Sequence, residues 1–469
     1  MLGFGSLLHT SLDSLHPRVL QQPGLHCLRE DTVPQVHFAI PLLLGPWHRA
    51  LTLPGLFRLL VLGLPWLVSC AWLLRTLEAL AYSHRIPDLV RLPEPAPFAP
   101  STEPLLSVIV PACNEEAAIA ATIHSLLASR GVPLQIIAVN DRSTDQTGSI
   151  LDSIVDSIAA TRAAPRAHSP DAEQSAADVG PHTFEVLHIY TLPEGWLGKP
   201  HALAQGFARA RAPLLLFTDA DILYRADALL RCVAFFQQQQ LDHLAFAATP
   251  VSETVGERMV IGALQAIGVW SLRLWKISDP RAKDSVGVGS FTLVRREAYL
   301  QVGGWDRLRL EVLEDLRFGW EIKRRHHLHQ QFATGRDLLR LRWAVGALGL
   351  ANNLTKNGFA LFRYRLVPAL LAVVSLCVMV FAPIAALFGP PATRWSFAPF
   401  ALALLLLYRR DLGKTGNSVG YALLFPFGAL VFVYAILRSI CLTLVRGGVE
   451  WRGTLYPLAT LRREAGPLR

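Results

Sequence analysis

Short apolar runs alternate with helical patterns through the middle of the chain. The runs "LLSVIVPA" at 105–112 and "LQIIAVN" at 134–140 have the length and unbroken hydrophobicity of strands that are buried on both faces. Each run is followed by a polar turn and then by a helical pattern, such as "EEAAIAATIHSLLAS" at 115–129. This alternation predicts an α/β domain with an open, mostly parallel sheet and helices on both faces. Ligands of such sheets bind outside the carboxyl ends of the strands.

Other apolar stretches are long enough to cross a membrane. The 23 uncharged residues at 366–388 make about 35 Å of helix at roughly 1.5 Å per residue, and 419–437 is a second strong candidate. The stretch at 59–74, with an arginine on each side, is just long enough to span. A buried core helix is the alternative, and it is least favoured for the two longest runs. The 12 residues at 397–408 predict a short, tilted or re-entrant segment.

Composition and charge agree with a membrane protein. Hydrophobic residues make up 52% of the chain and charged residues 17%, and the net charge of +9 comes largely from arginines beside the apolar stretches. This distribution is typical of the cytoplasmic side of a membrane protein and argues against nucleic acid as a partner. The six cysteines are scattered, with no Cys-x-x-Cys pair, and indicate neither a disulfide framework nor a thiolate metal site.

These patterns divide the chain into six consecutive segments. They are an N-terminal extension (1–54), a transmembrane helix (55–82), a proline-rich linker (83–104), the α/β domain (105–365), a membrane region with two to three spans (366–445) and a basic tail (446–469). Within the α/β domain, 161–180 is poor in large apolar residues and predicts a surface insertion.

Carboxylates follow two of the predicted strands. In "LLLFTDADI" at 214–222, Asp219 and Asp221 lie at i and i+2, on one side of an extended chain. They can converge on a hard divalent cation, which removes the repulsion between them. Asp141 ends the second strand at the same edge of the sheet, where a nucleotide is expected. A solvated turn or a helix cap remains the alternative for each of these aspartates.

Three further motifs carry side chains suited to group transfer. Lys199 follows two glycines in "LPEGWLGKPHAL", where a close backbone and a flexible cation suit a diphosphate. The adjacent Glu314 and Asp315 begin a helical pattern, whose N-terminus would keep a general base ionised. Arg342 and Trp343 place a guanidinium group beside an aromatic ring, a pair that suits a phosphate or an uncharged ring. Taken singly, each motif also fits a turn, a cap or a solvated face.

Taken in order, these motifs resemble the family 2 inverting glycosyltransferases with the GT-A fold. The resemblance covers 105 to about 365, and "GSF" at 289–291 belongs to it. The layout is similar to that of membrane-anchored members, the ceramide glucosyltransferases and the hopanoid- or carotenoid-associated bacterial enzymes. The segment "GVEWRGTLYPL" at 448–458 is similar to the Trp-Arg-Gly segment that follows their last span.

The resemblance implies a fold, a reaction and roles for individual residues. The fold is a Rossmann-like GT-A catalytic domain plus transmembrane helices. The reaction is metal-dependent, inverting sugar transfer from a UDP- or GDP-sugar to a lipid or lipid-linked acceptor, at the cytoplasmic face of the cell membrane. Asp315 is then the catalytic base, with Glu314 beside it, and Asp219 and Asp221 hold Mn²⁺ or Mg²⁺. The residues assigned to the nucleotide-sugar are Pro111, Asn114, Glu115, Asp141, Lys199, Asp219, Gly289, Ser290, Arg342 and Trp343.

Two positions depart from the family pattern. Leu339 stands where the signature that ends in Arg342 and Trp343 begins with Gln or Arg, which weakens the case for a processive polysaccharide synthase. Asn140 replaces a common first Asp but can still form hydrogen bonds with a nucleotide. The polysaccharide synthase and a non-catalytic nucleotide-sugar-binding membrane protein remain the alternatives. The stretch 261–277 predicts either a helix in the membrane interface or an ordinary packed helix.

Overall fold

The computed structural model describes residues 53–163, 182–410, 418–451 and 453–466. The chain divides into two compact units, Met1–Arg58 and Leu59–Arg469, and the first lies almost entirely outside the described residues. Most of the predicted surface insertion also lies outside them.

The described strands form three sheets. They are β1 (Leu106–Ala112), β2 (Leu134–Asp141), β3 (Thr183–Ile189), β4 (Leu214–Phe217), β5 (Ile222–Tyr224), β6 (His243–Ala247), β7 (Thr249–Pro250), β8 (Thr292–Arg295), β9 (Gln330–Thr334), β10 (Leu339–Leu341), β11 (Gly448–Trp451) and β12 (Thr454–Pro457).

The central sheet has seven strands in the order β3-β2-β1-β4-β8-β6-β9. All neighbours pair in parallel except β8, which runs antiparallel to both β4 and β6. The prediction of a mostly parallel α/β sheet is therefore confirmed. A smaller sheet, β5-β10-β7, lies beside it, and β11 and β12 form an antiparallel hairpin.

The described α-helices include those on both faces of the sheet and those of the apolar C-terminal region. They are α1 (Leu53–Tyr82), α2 (Ile119–Leu127), α3 (Thr147–Ala163), α4 (Gly198–Arg209), α5 (Ala228–Gln238), α6 (Val255–Ser271), α7 (Arg296–Gln301), α8 (Glu314–Trp320), α9 (Gly346–Asn357), α10 (Leu366–Ala385), α11 (Pro391–Arg394), α12 (Phe397–Arg410), α13 (Phe425–Val445) and α14 (Leu458–Glu464).

Alternate residues of the central strands pack on opposite faces of the sheet. On one face Val108 and Ile136 are fully buried and join a core that includes side chains of α2 and α5. On the other face Ile109 and Ile137 are buried in a second core that includes side chains of α4. The strands therefore read as continuous apolar runs, because a polar residue would be buried on either face.

Within the part of the chain that the structure describes, three helices have the length and composition to cross a membrane, at Val61–Arg85, Leu366–Phe388 and Val419–Val445. Trp72 joins them, because its indole nitrogen donates to the Met379 carbonyl at 2.9 Å and its ring lies 5.6 Å from that of Phe425. α12 has 14 residues, about 21 Å of helix at 1.5 Å per residue. That length is shorter than a hydrocarbon core of about 30 Å. Its predicted re-entrant path stays a prediction.

The helix predicted at 261–277 begins and ends earlier, at Val255 and Ser271. It begins at a capping box, in which the Thr254 side chain accepts from the Glu257 amide and the Glu257 carboxylate accepts from the Thr254 amide. At its other end Arg75 of α1 donates to the carbonyls of Trp270 and Leu272. Arg75 thus satisfies backbone carbonyls at the end of this helix.

Candidate active site

A cavity of about 470 Å³ lies at the carboxyl ends of β1, β2 and β4. Pro111 and Asp141 come from the ends of β1 and β2, and Asp219 and Asp221 follow β4. The loop 287–290 reaches the same edge because β8, which it precedes, runs against its neighbours. Helix α9, the start of α8 and the β11–β12 hairpin contribute the remaining wall.

Three carboxylates lie close together on the β4 side of the cavity. Burial raises the pKa of Asp221 to about 7, and repulsion from Asp219 and Glu115 adds to the effect. A positive charge close to this buried group would favour the ionised form of Asp221. A divalent cation would supply it, and oxygen ligands at the lip of a sheet suit Mg²⁺ or Mn²⁺.

Lys199 connects the two acidic sides of the cavity. Its ammonium lies 2.7 Å from a carboxylate oxygen of Asp219 and 2.9 Å from one of Glu314. Burial alone would lower the pKa of Lys199, but attraction to these two carboxylates outweighs burial and raises it. Lys199 is therefore a permanent cation in the cavity. Burial in turn raises the pKa of Glu314 to about 7, although Lys199 opposes the rise.

Asp315 is held against a tightly packed glycine loop. One of its carboxylate oxygens accepts from the Gly289 amide at 2.8 Å, and the other accepts from the Leu316 amide at 2.7 Å. A Cβ on Gly287 would lie only 1.7 Å from the Asp315 carbonyl oxygen, so this approach requires glycine. Burial raises the pKa of Asp315, while Lys199 and the backbone donors oppose the rise. The carboxylate is thus oriented and moderately basic, as a general base requires.

Asp141 lines the cavity while it is tied to the next residue. The Arg142 guanidinium donates to both of its carboxylate oxygens, at 2.8 and 2.9 Å. A Cβ on Gly198 would lie 2.7 Å from Asp141 and 2.5 Å from Arg142, so the N-terminus of α4 approaches this pair closely. Arg142 thus holds the Asp141 carboxylate in a fixed orientation at this edge of the sheet.

The structure brings most of the predicted site residues into this one cavity. Those that line it are Pro111, Glu115, Asp141, Lys199, Asp219, Asp221, Gly289, Ser290, Glu314, Asp315 and Trp343. Asn114 and Arg342 do not line it. Asn114 has a positive φ of 58° and accepts from the Thr144 amide at 2.8 Å, so it fixes the loop after β2. Arg342 pairs with Glu253 at 2.7 Å and with the buried Glu257 at 3.2 Å.

Some of the residues in the cavity were not predicted from the sequence. Asn353, Lys356 and Asn357 of α9 line it, at the i, i+3 and i+4 spacing that places side chains on one helix face. Trp451, at the tip of the hairpin, lines it too, and the Lys356 ammonium lies 5.9 Å from the Trp451 ring. The spacing in "ANNLTKN" was a usable signal for α9. The resemblance to a Trp-Arg-Gly segment singled out the hairpin in the sequence, but it did not predict that the hairpin lines the cavity.

Residues 107–303 match the family model described as Glycosyl transferase family 2. This chain therefore carries a family 2 glycosyltransferase domain. The resemblance drawn from the sequence is confirmed for this segment. The family 2 domain contributes Pro111, Asp141, Lys199 and the two β4 aspartates, whereas Glu314 and Asp315 follow it in the chain.

Known proteins are similar to this chain over different lengths. The 4,4'-diaponeurosporenoate glycosyltransferase of Staphylococcus aureus (strain USA300) is 24% identical over 220 residues, which are 46% of this chain and 50% of the relative. The chain thus spans about half the length of the curated relatives it matches. A mannosyltransferase from Pyrobaculum calidifontis, solved with GDP-Man and Mn²⁺, has a TM-score of 0.44 at 17% identity, over 82% of this chain and 99% of that chain. For S. aureus TarS with UDP-GlcNAc the TM-score is 0.34 at 15% identity, over 75% and 95%.

Proposed function

We propose that this protein is a metal-dependent, inverting glycosyltransferase that moves a sugar from a nucleotide-sugar to a lipid or lipid-linked acceptor. The family 2 domain supports the transferase class. The observation that carries the proposal is the cavity itself, in which Lys199 bridges Asp219 and Glu314 while Asp315 faces the same space.

The donor occupies the strand-end side of the cavity in this proposal. Asp141 and Pro111 border the nucleoside, and Lys199 approaches the diphosphate. Asp219 and Asp221 would hold the Mg²⁺ or Mn²⁺ ion, which when bound neutralises charge on the leaving diphosphate. The described residues contain no group of three or more His, Cys, Asp or Glu side chains arranged for a metal. Two carboxylates suffice for Mg²⁺ when substrate phosphates complete its coordination.

The transfer step needs a base opposite the leaving group. Asp315 takes the proton of an acceptor hydroxyl, whose oxygen forms a bond to the anomeric carbon as the bond from that carbon to the phosphate oxygen breaks. Attack from the face opposite the leaving group inverts the anomeric configuration. The Gly289 amide keeps the Asp315 carboxylate in place, and the positive charge of Lys199 favours its ionised form.

The acceptor enters from the membrane side of the cavity in this proposal. Asn353, Lys356 and Trp451 line that side, on elements that pack against α13. These residues offer amides, a cation and an aromatic face, which suit a polar head on an apolar acceptor. The S. aureus relative is named for an apolar compound, 4,4'-diaponeurosporenoate. Arginine clusters beside the spans support a catalytic domain on the cytoplasmic side of a multi-pass protein.

Release of nucleoside diphosphate tests the proposal directly. The purified chain is incubated with membrane lipid extract and a panel of UDP- and GDP-sugars, with Mn²⁺, with Mg²⁺ or with a chelator. We expect release with one donor and loss of release with the chelator. Asp221→Ala and Asp315→Asn should each reduce release by at least about a hundredfold. Asp156→Asn, an exposed change on α3, is the matched control and should leave it unchanged.

The products separate the alternatives. A single added sugar on a lipid supports the proposed reaction, and a ladder of sugar polymers would instead support a processive synthase. Donor binding without turnover, unaffected by Asp315→Asn, would identify a non-catalytic binding protein.

A further inference from the structure

A second cleft, of about 300 Å³, lies where α9, α13 and the β11–β12 hairpin meet. It adjoins the proposed active site, because Lys356 lines both spaces. The cleft is outside the family 2 domain, and the proposed transfer reaction assigns it no role.

Positive charge dominates the cleft. Arg438, Arg446 and Lys356 line it, and Glu450 is the one acid among its described lining residues. Arg446 pairs with Glu450 at 2.6 Å, while Arg438 donates to the neutral amide oxygen of Asn352. Arg438 has no carboxylate as a salt-bridge partner among the described residues. The formal charges of the lining residues, three cations and one acid, sum to about +2 at neutral pH.

Hydroxyl groups complete the polar lining. Thr355, Ser439 and Thr443 also line the cleft. The Thr355 hydroxyl donates to the Ala351 carbonyl, and the Ser439 hydroxyl accepts from the Phe359 amide. The guanidinium forks of Arg438 and Arg446 are therefore the donors that suit a phosphate or carboxylate group.

The cleft lies at the end of an apolar helix of membrane length. Helix α13 ends at Val445, one residue before Arg446. Val445 is 85% exposed and Leu455 of the hairpin is 53% exposed, so apolar side chains without protein cover border the cationic cleft. Apolar surface beside a cluster of cations at the end of a span matches the boundary between acyl chains and lipid head groups.

We propose that this cleft binds the anionic head group of a membrane lipid, with Arg438 and Arg446 holding its phosphate or carboxylate and Lys356 contacting it from the active-site side. The site goes beyond the proposed transfer reaction, since it requires an anionic lipid and no sugar donor. The bound head group would lie next to the membrane-side wall of the catalytic cavity.

Lipid binding by the full chain in neutral detergent tests this site. The probes are short-chain phosphatidylglycerol, short-chain phosphatidylcholine and inorganic phosphate, and the readout is the concentration dependence of the thermal midpoint. We expect phosphatidylglycerol to raise the midpoint and phosphatidylcholine to leave it unchanged. Arg438→Gln and Arg446→Gln should each weaken the apparent affinity about fivefold, and the double variant about thirtyfold.

Two controls separate charge from shape and position. Arg438→Lys keeps the charge and should retain most of the affinity. Arg394→Gln changes a cation of α11, outside the cleft, and should leave the lipid response at the wild-type level.

Equal responses to phosphatidylglycerol in the double variant and the wild type would overturn the proposal. An equal shift with inorganic phosphate would show that the cleft binds a free anion and no lipid. Each outcome is independent of whether nucleoside diphosphate is released, so the transferase proposal is tested separately.

Discussion

Replacement of Lys199 by methionine probes the charge balance of the cavity without any knowledge of the substrates. The substitution keeps most of the side-chain volume and removes the cation that lies 2.7 Å from Asp219 and 2.9 Å from Glu314. Two unit charges about 2.9 Å apart attract by about 6 kcal/mol at an effective dielectric constant of about 20, which is the upper limit for this pair. The side chain of Glu314 is only 11% exposed, so solvent replaces little of that attraction.

Protonation of Glu314 limits the actual loss. With Lys199 present, the folded-state pKa of Glu314 is about 7, above its ordinary value of 4.5. A carboxyl group with a raised folded-state pKa stabilises the folded protein at low pH, and this contribution is lost as pH rises through that pKa. Without Lys199 the folded pKa rises further. Variant and wild type therefore diverge only above about pH 7, by about 1.4 kcal/mol for each pH unit.

Thermal unfolding of the two proteins near pH 6 and near pH 8.5 measures this divergence. The variant should lose about 2 kcal/mol more, relative to wild type, at the higher pH. With about 2.1 cal/mol/K of unfolding entropy per residue over roughly 400 residues, that loss lowers the midpoint by about 2–3 °C. In a Glu314→Gln background the same substitution should show no such pH dependence. A destabilisation that is equal at both pH values, or larger near pH 6, would refute the electrostatic account.

Three further substitutions test separate parts of the site. Gly289→Ala places a methyl group 3.3 Å from the Asp315 carboxylate, and we expect turnover to fall about tenfold or more while the thermal midpoint stays near wild type. Trp451→Ala should reduce transfer about tenfold and leave donor affinity unchanged, as measured by nucleotide-sugar titration. Arg342→Gln should destabilise by about 1–2 kcal/mol, because the buried Glu257 loses its partner, with kcat little changed; a large loss of kcat in a stable variant would place Arg342 in the reaction instead.

The hydrophobicity pattern predicted the central sheet because its strands have the pattern that is typical of buried parallel strands. Apolar runs such as 106–112 and 134–141 are buried on both faces, so their hydrophobicity is continuous and easily recognised. The edge strand β3 is mostly half-buried and begins after the predicted insertion, so its sequence lacks the continuous apolar run that identifies the central strands. The start of α6 depends on a side-chain capping box at Thr254, whose signal lies outside the apolar pattern that predicted the helix.

Side chains at the strand ends were predictable for the same reason. Parallel strands bring their carboxyl ends to one edge, so Asp141, Asp219 and Asp221 had to lie near one another once the sheet was assumed. The salt-bridge partners of Arg342 could not be predicted from the sequence. It follows β10 in a small separate sheet, and only the fold reveals that Glu253 and Glu257 are its neighbours. Sequence spacing predicts neighbours within an element and fails between elements that are far apart in the chain.

The apolar C-terminal helices pack against the loops that carry the proposed catalytic residues. Leu197 and Leu313, which lie two positions before Lys199 and one before Glu314, are buried in a single apolar cluster. Val433 and Ile436 of α13 and Tyr456 of the hairpin belong to the same cluster. A shift of α13 would therefore move the loops that carry the proposed base and the bridging lysine. Because interiors are close-packed and transmit strain, the position of the last apolar helix and the geometry of the cavity are mechanically coupled.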